Sequence, residues 1–293
     1  MASRLALVFD DGPTSDRSLV APVLDAYDAP ATFAVVPTWL GAENHLTTDG
    51  VRALADAGHE IATHGHRHRR LQAMPLAADV APGDEWLAVD GRVAPDDSVR
   101  LLVGDTHEIT DGDRRREVTV AALEEGRVGL DAPVDAAFDA SATVLRPTES
   151  TIRDELAGGR DAVDDLGVDP RTVVFPYDRA DGRAMRIARR THDVVANAAV
   201  RSLPNLPGRD PTDLRRFYLE TDHLRPAEIE TYLDRIVETD GIGILAGHSA
   251  WETVTADRIE MVLAGARGRD IDLVRCDELA GIRCQTGDGP AGR

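Results

Sequence analysis

The stretch Leu5-Ala6-Leu7-Val8-Phe9-Asp10-Asp11-Gly12-Pro13 places two adjacent carboxylates at the end of a short apolar run. The five apolar residues predict a buried strand, and Gly12-Pro13 predicts a sharp exit from it. A carboxylate that is buried without a compensating partner is costly. Either a metal ion or a proton-transfer role explains the pair, or Asp10 and Asp11 simply bond the next backbone N–H groups in an Asx-turn. This stretch alone leaves both interpretations open.

Three distant stretches favour the metal interpretation. The first is Gly58-His59-Glu60-Ile61-Ala62-Thr63-His64-Gly65-His66-Arg67-His68, in which His64 and His68 lie four residues apart. That spacing lets two imidazoles face one ion, although HxxxH also occurs in solvated basic loops. The other two are the apolar runs Val173-Val174-Phe175-Pro176-Tyr177 and Ile242-Gly243-Ile244-Leu245-Ala246-Gly247-His248.

Taken in this order, VFDDGP, GHEIATHGHRH, FPY and ILAGH resemble the motifs of the polysaccharide deacetylase family, also called the NodB-homology or carbohydrate esterase 4 group. Each motif is weak alone, whereas the ordered set over about residues 5–72 and 148–275 is specific. The resemblance implies an α/β fold, a distorted and incomplete (β/α) barrel of the NodB-homology type with its site at the carboxyl ends of the strands. It also implies a metal-dependent hydrolase that removes N-acetyl or other N-acyl groups from an amino sugar, a polysaccharide or a glycoconjugate.

The expected metal site consists of Asp11, His64 and His68. If these side chains converge, they form a His₂-carboxylate site for one divalent metal ion and leave coordination positions open, as a catalytic site requires. Zinc is the first choice, and cobalt, nickel and manganese are alternatives that suit the same ligands.

The expected catalytic residues lie on either side of that ion. Asp10 precedes the ligand on the strand, points in a different direction and is assigned as the general base. His248 arrives from a distant strand and is assigned as the general acid that protonates the departing amine. By the resemblance, Pro176 and Tyr177 contact the substrate, and the backbone N–H of Tyr177 helps to hold the oxyanion.

The chain departs from the family pattern at two positions. The family often has an arginine two residues before the motif proline, where it orients the base aspartate, and this chain has Val174 there. Arg216 or Arg179 is the candidate replacement. The family also has an aspartate that orients the acid histidine. Asp213 and Asp222 are the candidates for it, and each is equally well explained as a surface residue.

The family resemblance stops between the second and third motifs, and residues 74–147 predict a small antiparallel β insertion. Its β-type runs lie at residues 85–89, 99–103 and 117–120. The predicted barrel comprises residues 1–73 and 148–283, where apolar strands alternate with amphipathic helices, and residues 284–293 predict a flexible tail. The insertion is expected beside the site, as a lid, as an appendage or as an oligomer contact.

The charge of the chain excludes one class of partner. Its 293 residues include 52 acidic and 33 basic ones, for a formal net charge of −19. Such a field repels a phosphate backbone, so a nucleic-acid partner is not expected, and a carbohydrate or glycoconjugate is. Every basic residue is arginine, and this feature, with the excess of acid, is typical of proteins from halophilic sources.

The apolar segments and the cysteines bound the cellular setting. No apolar run reaches about 18 residues, so no membrane span is predicted. The first apolar run is too short for a signal peptide, which predicts a cytoplasmic location. A small or lipid-linked substrate is an alternative that would fit this location. Cys276 and Cys284 lie outside any CxxC pattern and are expected to be reduced packing residues, although a single bridge would also fit.

Two other functions fit the same motifs. The site could hydrolyse another small C–N bond, in a formamide or a cyclic amide, as some relatives of the family do. The barrel could also be a pseudoenzyme that binds sugars without catalysis. The joint presence of a candidate base and a candidate acid favours an enzyme, because a binding module needs neither.

Overall fold

A computed structural model describes residues 2–89 and 101–281, which contain fifteen strands and seven α-helices. The strands are β1 (Arg4–Asp11), β2 (Thr32–Val35), β3 (Glu60–Thr63), β4 (Met74–Pro75), β5 (Trp86–Ala88), β6 (Thr106–Thr110), β7 (Arg115–Glu124), β8 (Arg127–Leu130), β9 (Val144–Pro147), β10 (Thr172–Val173), β11 (Val194–Val195), β12 (Ala199–Val200), β13 (Arg215–Tyr218), β14 (Ile242–Gly247) and β15 (Asp272–Leu273). The helices are α1 (Ala21–Ala26), α2 (Thr48–Asp56), α3 (Glu149–Arg153), α4 (Gly159–Asp164), α5 (Gly182–Thr191), α6 (Pro226–Glu238) and α7 (Ala256–Arg267).

An incomplete barrel in the described part of the chain contains nine parallel strands, eight of which follow one another around it. Their order is β11-β10-β3-β2-β1-β14-β13-β12, and β15 pairs with β1. The two ends of this row of strands approach each other near β11 and β13. There the N–H of Leu214, just before β13, donates to the carbonyl of Val195 in β11 over 3.3 Å. The predicted fold class, a distorted (β/α) barrel with a β-rich insertion, is confirmed. Parallel strands all run the same way, so their carboxyl ends share one mouth.

Side-chain alternation along β1 explains how the barrel is filled. Leu5, Leu7 and Phe9 pack in the core beneath the helices, whereas Ala6 and Val8 face the barrel interior. Other strands contribute similarly small interior residues, namely Ala34, Ala62, Ala196 and Ala246. These small side chains leave space in the barrel for larger polar side chains at its mouth.

The segment after β15 closes the barrel at the amino ends of the strands. The backbone N–H of Cys276 donates to the Thr32 hydroxyl over 2.9 Å, and the N–H of Asp277 donates to the Glu60 carboxylate over 3.0 Å. Cys276 is buried and its thiol is free, as expected for a packing residue. Cys284 and the predicted tail lie outside the described residues.

The insertion forms a six-stranded antiparallel sheet of its own, with the order β4-β9-β6-β7-β8-β5. Buried residues of this sheet, among them Leu87, Ile109 and Leu145, form a separate apolar cluster. The runs predicted at 85–89 and 117–120 are strands. The run at 99–103 is not a strand over its described residues. Its chain turns at Gly104, which has φ 91°, and the Asp105 side chain accepts from Leu102 N–H over 3.2 Å.

A buried guanidinium joins the insertion to the barrel. Arg69, which follows the second motif, bonds Asp105 of the insertion over 2.7 Å and Glu155, at the junction of α3 and α4, over 2.9 Å. All three side chains are nearly inaccessible to solvent, so each charge depends on its partners. None of the helices within the described ranges is both long enough and apolar enough to cross a bilayer.

Removing the insertion's contribution to this junction is expected to destabilise the fold. Asp105→Ala should lower the free energy of unfolding by about 2 kcal/mol, because hydrogen bonds to a buried charge are lost. Urea denaturation measures the change. The matched control is Asp135→Ala, which removes an exposed partner of Arg116 in the same insertion and should cost less than about 1 kcal/mol. Equal effects of the two substitutions would contradict a structural role for the junction.

Candidate active site

The sequence-predicted metal ligands meet at the mouth of the barrel because their strands end at the same level. Asp11 is the last residue of β1 and pairs with Val35, which in turn pairs with Thr63 at the end of β3. His64 therefore emerges directly beside Asp11, and its N–H donates to the carbonyl of Val35 over 2.8 Å. The chain then passes through a short loop that returns His68, which has φ 60°, to the same point.

Three side-chain atoms from these residues face one another. The Nε2 atoms of His64 and His68 are 3.2 Å apart, and they lie 3.4 and 3.3 Å from Oδ1 of Asp11. These last two separations are long for hydrogen bonds, and Oδ1 is buried without a hydrogen-bond partner. Donor atoms that share a tetrahedral ion at about 2.0–2.1 Å are about 3.3 Å apart. The three residues thus fit a divalent cation.

The other ring nitrogens of the two histidines are also bound. Nδ1 of His64 donates to the carbonyl of Val174 over 2.9 Å, and Nδ1 of His68 bonds the hydroxyl of Tyr177 over 2.9 Å. With the proton on Nδ1, both Nε2 lone pairs point at the site. Val174 stands where the family often has an arginine. Its backbone carbonyl orients His64, one of the predicted ligands.

The charges around these ligands suit a cation. Burial lowers the pKa of His68 to about 4, which keeps it neutral, as a metal ligand must be. Burial opposes a charge on His64 as well, but the Asp10 and Asp11 carboxylates outweigh it and raise the pKa of His64. Burial likewise disfavours ionised Asp11, yet the two imidazoles hold its pKa well below the usual value. A negative oxygen therefore remains at the centre of the site.

A distant carboxylate shapes the loop that holds the two histidines. Glu155, fully buried, accepts hydrogen bonds from the backbone N–H groups of Arg67 over 3.0 Å and Arg69 over 2.7 Å. Gly65 lies against it with φ 71°, and a Cβ at this position would come within 2.3 Å of Oε1 of Glu155. The spacing of His64 and His68 depends on this contact.

Replacing that carboxylate with an amide is expected to weaken metal binding. Glu155→Gln turns one acceptor into a donor that faces Arg67 and Arg69, so the loop loosens and the affinity for zinc should fall by about tenfold or more. Competition with a chromogenic chelator measures the affinity. Glu149→Gln, which alters an exposed carboxylate on α3 that pairs with Arg153, should leave it unchanged. Unaltered affinity in Glu155→Gln would show that the loop forms without its carboxylate.

Arg216 of β13 occupies the barrel interior directly below the predicted base. Its Nη2 atom lies 2.7 Å from Oδ2 of Asp10, its Nη1 donates to Oδ1 over 3.0 Å, and its Nε donates to Asp178 over 2.7 Å. Burial raises the pKa of Asp10, but the Arg216 guanidinium and the nearby imidazoles outweigh this and lower it. Of the two candidate replacements for the family arginine, Arg216 lies against Asp10, and Arg179 is exposed instead.

Asp178 completes this network and was not identified from the sequence. Its carboxylate also accepts from the amide of Asn197 over 2.6 Å and from the hydroxyl of Tyr218 over 2.8 Å. Asn197 additionally bonds both backbone groups of Phe175, so it fixes the chain that leads to Pro176 and Tyr177. Tyr177 follows with the left-handed angles φ 59° and ψ 12°.

His248, directly after β14, faces the metal ligands from the opposite side. Its Nε2 lies 3.9 Å from Oδ2 of Asp11, and its Nδ1 bonds Glu220 over 3.0 Å. Burial lowers the pKa of His248, but Glu220 and the Asp10 and Asp11 charges outweigh it and raise the pKa. Trp251 stacks on the imidazole with the ring centres 3.9 Å apart and remains 51 % exposed.

The orienting carboxylate of His248 is therefore Glu220, and the candidates Asp213 and Asp222 were wrong. Asp213 pairs with Arg209 instead, and Asp222 is exposed. The place of Glu220 in the sequence could have identified it, because Glu220 lies two residues after β13, a strand that ends at this mouth.

Glu220 is expected to set the pH range of His248. Glu220→Gln removes a charge that stabilises the imidazolium, so the protonated form is lost at lower pH. The alkaline limb of the pH–kcat profile should then shift to lower pH, and kcat should fall by about tenfold or more. Measuring hydrolysis from pH 5 to about 10 tests this, with exposed Glu238→Gln on α6 as the control. An unshifted alkaline limb would remove His248 from the acid role.

Comparison with known proteins identifies similar sequences and folds. Residues 2–81, which contain the first two motifs, match the family model described as polysaccharide deacetylase. The resemblance to polysaccharide deacetylases is confirmed. No curated protein matches the chain.

Solved structures of carbohydrate esterase family 4 proteins match the chain at low sequence identity. A family pseudoenzyme from Bacillus anthracis is 10 % identical, with a TM-score of 0.50, and the match covers 96 % of this chain and 66 % of that one. The Xyl-CE4 domain of a multidomain xylanase from the hindgut metagenome of Trinervitermes trinervoides is 15 % identical, with 95 % and 90 % coverage and a TM-score of 0.48. An acetyl xylan esterase from Clostridium thermocellum, in complex with cobalt, is 16 % identical, with 94 % and 89 % coverage and a TM-score of 0.48.

Proposed function

We propose that this chain is a metal-dependent hydrolase that removes an N-acyl group from an amino sugar of a carbohydrate or glycoconjugate. One observation carries the proposal: the ligand set Asp11, His64 and His68 lies between a carboxylate and an imidazole that each have their own buried orienting partner. Asp10 is held by Arg216, and His248 is held by Glu220.

The metal would be bound by His64, His68 and Asp11, with zinc the first choice for this ligand set. A divalent cation supplies Lewis acidity, which polarises an acyl carbonyl and makes a water more acidic. The protein's own part is to hold both imidazoles by their Nδ1 atoms and to keep Asp11 ionised.

Asp10 would act as the general base. Arg216 keeps its carboxylate ionised and fixes its orientation, since two nitrogens of one guanidinium contact its two oxygens. An ionised carboxylate in a fixed position can accept the proton of an attacking water without first losing one of its own.

His248 would act as the general acid from the other side. Its raised pKa favours the imidazolium, and Glu220 holds Nδ1 so that Nε2 faces the ligands. Donation from Nε2 to the departing nitrogen would release a free amine instead of an unstable amide anion. The backbone N–H of Tyr177, in its left-handed conformation, would contribute to the oxyanion site.

The two orienting partners support an enzyme more than a sugar-binding pseudoenzyme. Arg216 is fully buried, and burying a guanidinium is expensive unless its partners need it. A binding surface that merely retains the motifs has no need to orient Asp10 or His248. The exposed Trp251 beside His248 would provide an apolar face for a sugar ring.

The composition supports a saline environment for the same enzyme. A net charge of −19 with arginine as the sole basic residue keeps the surface hydrated and soluble in strong salt. Enzyme assays should therefore cover a range from low to molar salt.

The function is tested by metal content and by acetate release. Purified protein should contain about one equivalent of zinc or another transition metal, and it should release acetate from chitooligosaccharides. Asp10→Asn should lower kcat by about 10²-fold or more, because the base is lost while the ligands remain. Asp49→Asn, an exposed residue of α2, is the control.

Failure to hydrolyse acylated sugars and failure to bind metal would lead to different conclusions. Bound metal without hydrolysis of any acylated sugar would redirect the search to formamides and cyclic amides. Protein that binds no metal would support the pseudoenzyme instead.

A further inference from the structure

Two arginines lie side by side at the edge of the candidate site. Arg70 is two residues beyond His68, and Arg179 is two residues beyond Tyr177. The two segments are joined, because Leu71 N–H donates to the carbonyl of Arg179 over 3.3 Å and Leu71 forms a parallel bridge with Ala180. His68 and Tyr177 are themselves in contact, so both arginines border the metal ligands.

The direction of the neighbouring side chains places both arginines on the site side of this pairing. Leu71 is completely buried in the apolar cluster beneath the helices, and Ala180 packs against the same cluster. Side chains alternate along an extended chain, so Arg70 and Arg179 lie on the opposite face from that cluster. Arg70 is half-buried there, and Arg179 is exposed.

No described carboxylate neutralises either of the two guanidinium groups. Burial and the charge of Arg179 both lower the pKa of Arg70. Within residues 2–89 and 101–281, no carboxylate forms an ion pair with either side chain, and Nε of Arg70 is buried without a hydrogen-bond partner. In the described part of the chain, the Arg70 side chain donates from Nη2 to the amide oxygen of Gln72 over 3.2 Å. By contrast, the adjacent Arg69 contacts three carboxylates.

Acidic residues outnumber basic ones in this chain by 52 to 33, so an arginine pair that contacts no carboxylate of the described residues requires an explanation. Like charges repel, and holding them together beside the metal ligands is favourable when an anion lies between them. We propose that Arg70 and Arg179 form a subsite for an anionic group of the substrate, so that the enzyme acts on an acidic amino sugar. This inference rests on the proposed function and specifies its substrate class.

The chemistry of guanidinium groups defines the ligand. Carboxylate and phosphate oxygens both match the planar fork of an arginine and form charge-assisted hydrogen bonds with it. The substrate would thus carry a carboxylate or a phosphate on the sugar whose nitrogen is acylated, or on the adjoining sugar. An arginine pair can bind a carboxylate or a phosphate in the same way, so the assay must distinguish the two groups.

Three substrates with the same acetamido group separate these cases: N-acetylglucosamine, N-acetylmuramic acid and N-acetylglucosamine 1-phosphate. The wild-type kcat/KM should be about tenfold or more higher for at least one charged sugar than for the neutral one, mainly through KM. The better charged sugar identifies the carboxylate or the phosphate. Rising salt should reduce the preference, because it screens a partly exposed pair.

Arg70→Met and Arg179→Met retain the apolar stem and remove the charge. Each should lower the ratio of kcat/KM between charged and neutral sugar by about tenfold. The matched control is Arg190→Met, at the end of α5 and exposed, and it should leave the ratio unchanged. A wild-type enzyme that does not distinguish the three sugars, or variants that slow all three equally, would overturn the subsite.

Direct binding separates failure of the subsite from failure of the proposed reaction. Calorimetry with N-acetylmuramic acid and with N-acetylglucosamine 1-phosphate is performed on Asp10→Asn, with and without Arg70→Met. Binding that weakens by about tenfold in the double variant supports the subsite even if no sugar is hydrolysed. Absence of binding, or binding that does not depend on Arg70, refutes the subsite even if neutral sugars are deacetylated.

Discussion

The ion pair between Arg216 and Asp10 is the interaction on which the mouth of the barrel depends. A guanidinium that is 2 % exposed is tolerable only with close anionic partners, and Arg216 has Asp10 on one side and Asp178 on the other. The first motif, β13 and the turn after the third motif are held together by this one side chain. Small interior residues such as Ala34 and Ala246 leave the width that Arg216 occupies.

Local patterns predicted the strands and the ligand set. The apolar run before Asp10 and the runs before His64 and His248 each specify a buried strand, and parallel strands bring their carboxyl ends to one mouth. The convergence of Asp11 with His64 and His68 therefore follows from sequence order and strand direction, although Asp11 lies more than fifty positions from either histidine.

The orienting residues could not be predicted in the same way, because their identity depends on which side chain reaches across the barrel. Arg216 and Arg179 were equivalent candidates in the sequence, and only the inward direction of alternate residues on β13 separates them. Glu220 was missed in favour of Asp222, two residues farther on, since a loop beyond a strand has no periodicity to indicate its direction. Glu155 is 87 positions from His68 and has no local signature at all.

The second motif shows how unlike neighbouring residues of one type can be. The arginines in and just after this motif suggested a solvated basic loop, yet Arg69 is buried among carboxylates, while Arg67 is exposed. The difference arises because the backbone N–H groups of the loop bind Glu155, which turns one guanidinium inward toward the same carboxylate. Composition predicted the charge of this loop, but only tertiary contacts determine where each charge lies.

The balance of charge gives an independent reason to expect a cation at this mouth. The carboxylates that converge here belong to Asp10, Asp11, Asp178 and Glu220. Arg216 and a protonated His248 offset half of that charge, and the rest is offset either by protons on the ligand histidines or by a cation. Two neutral imidazoles cannot supply the remaining positive charge, and burial opposes protonation of His68. One divalent cation, with both histidines neutral, restores balance without an unfavourable imidazolium, so the ligand set and the network around it favour the same occupant.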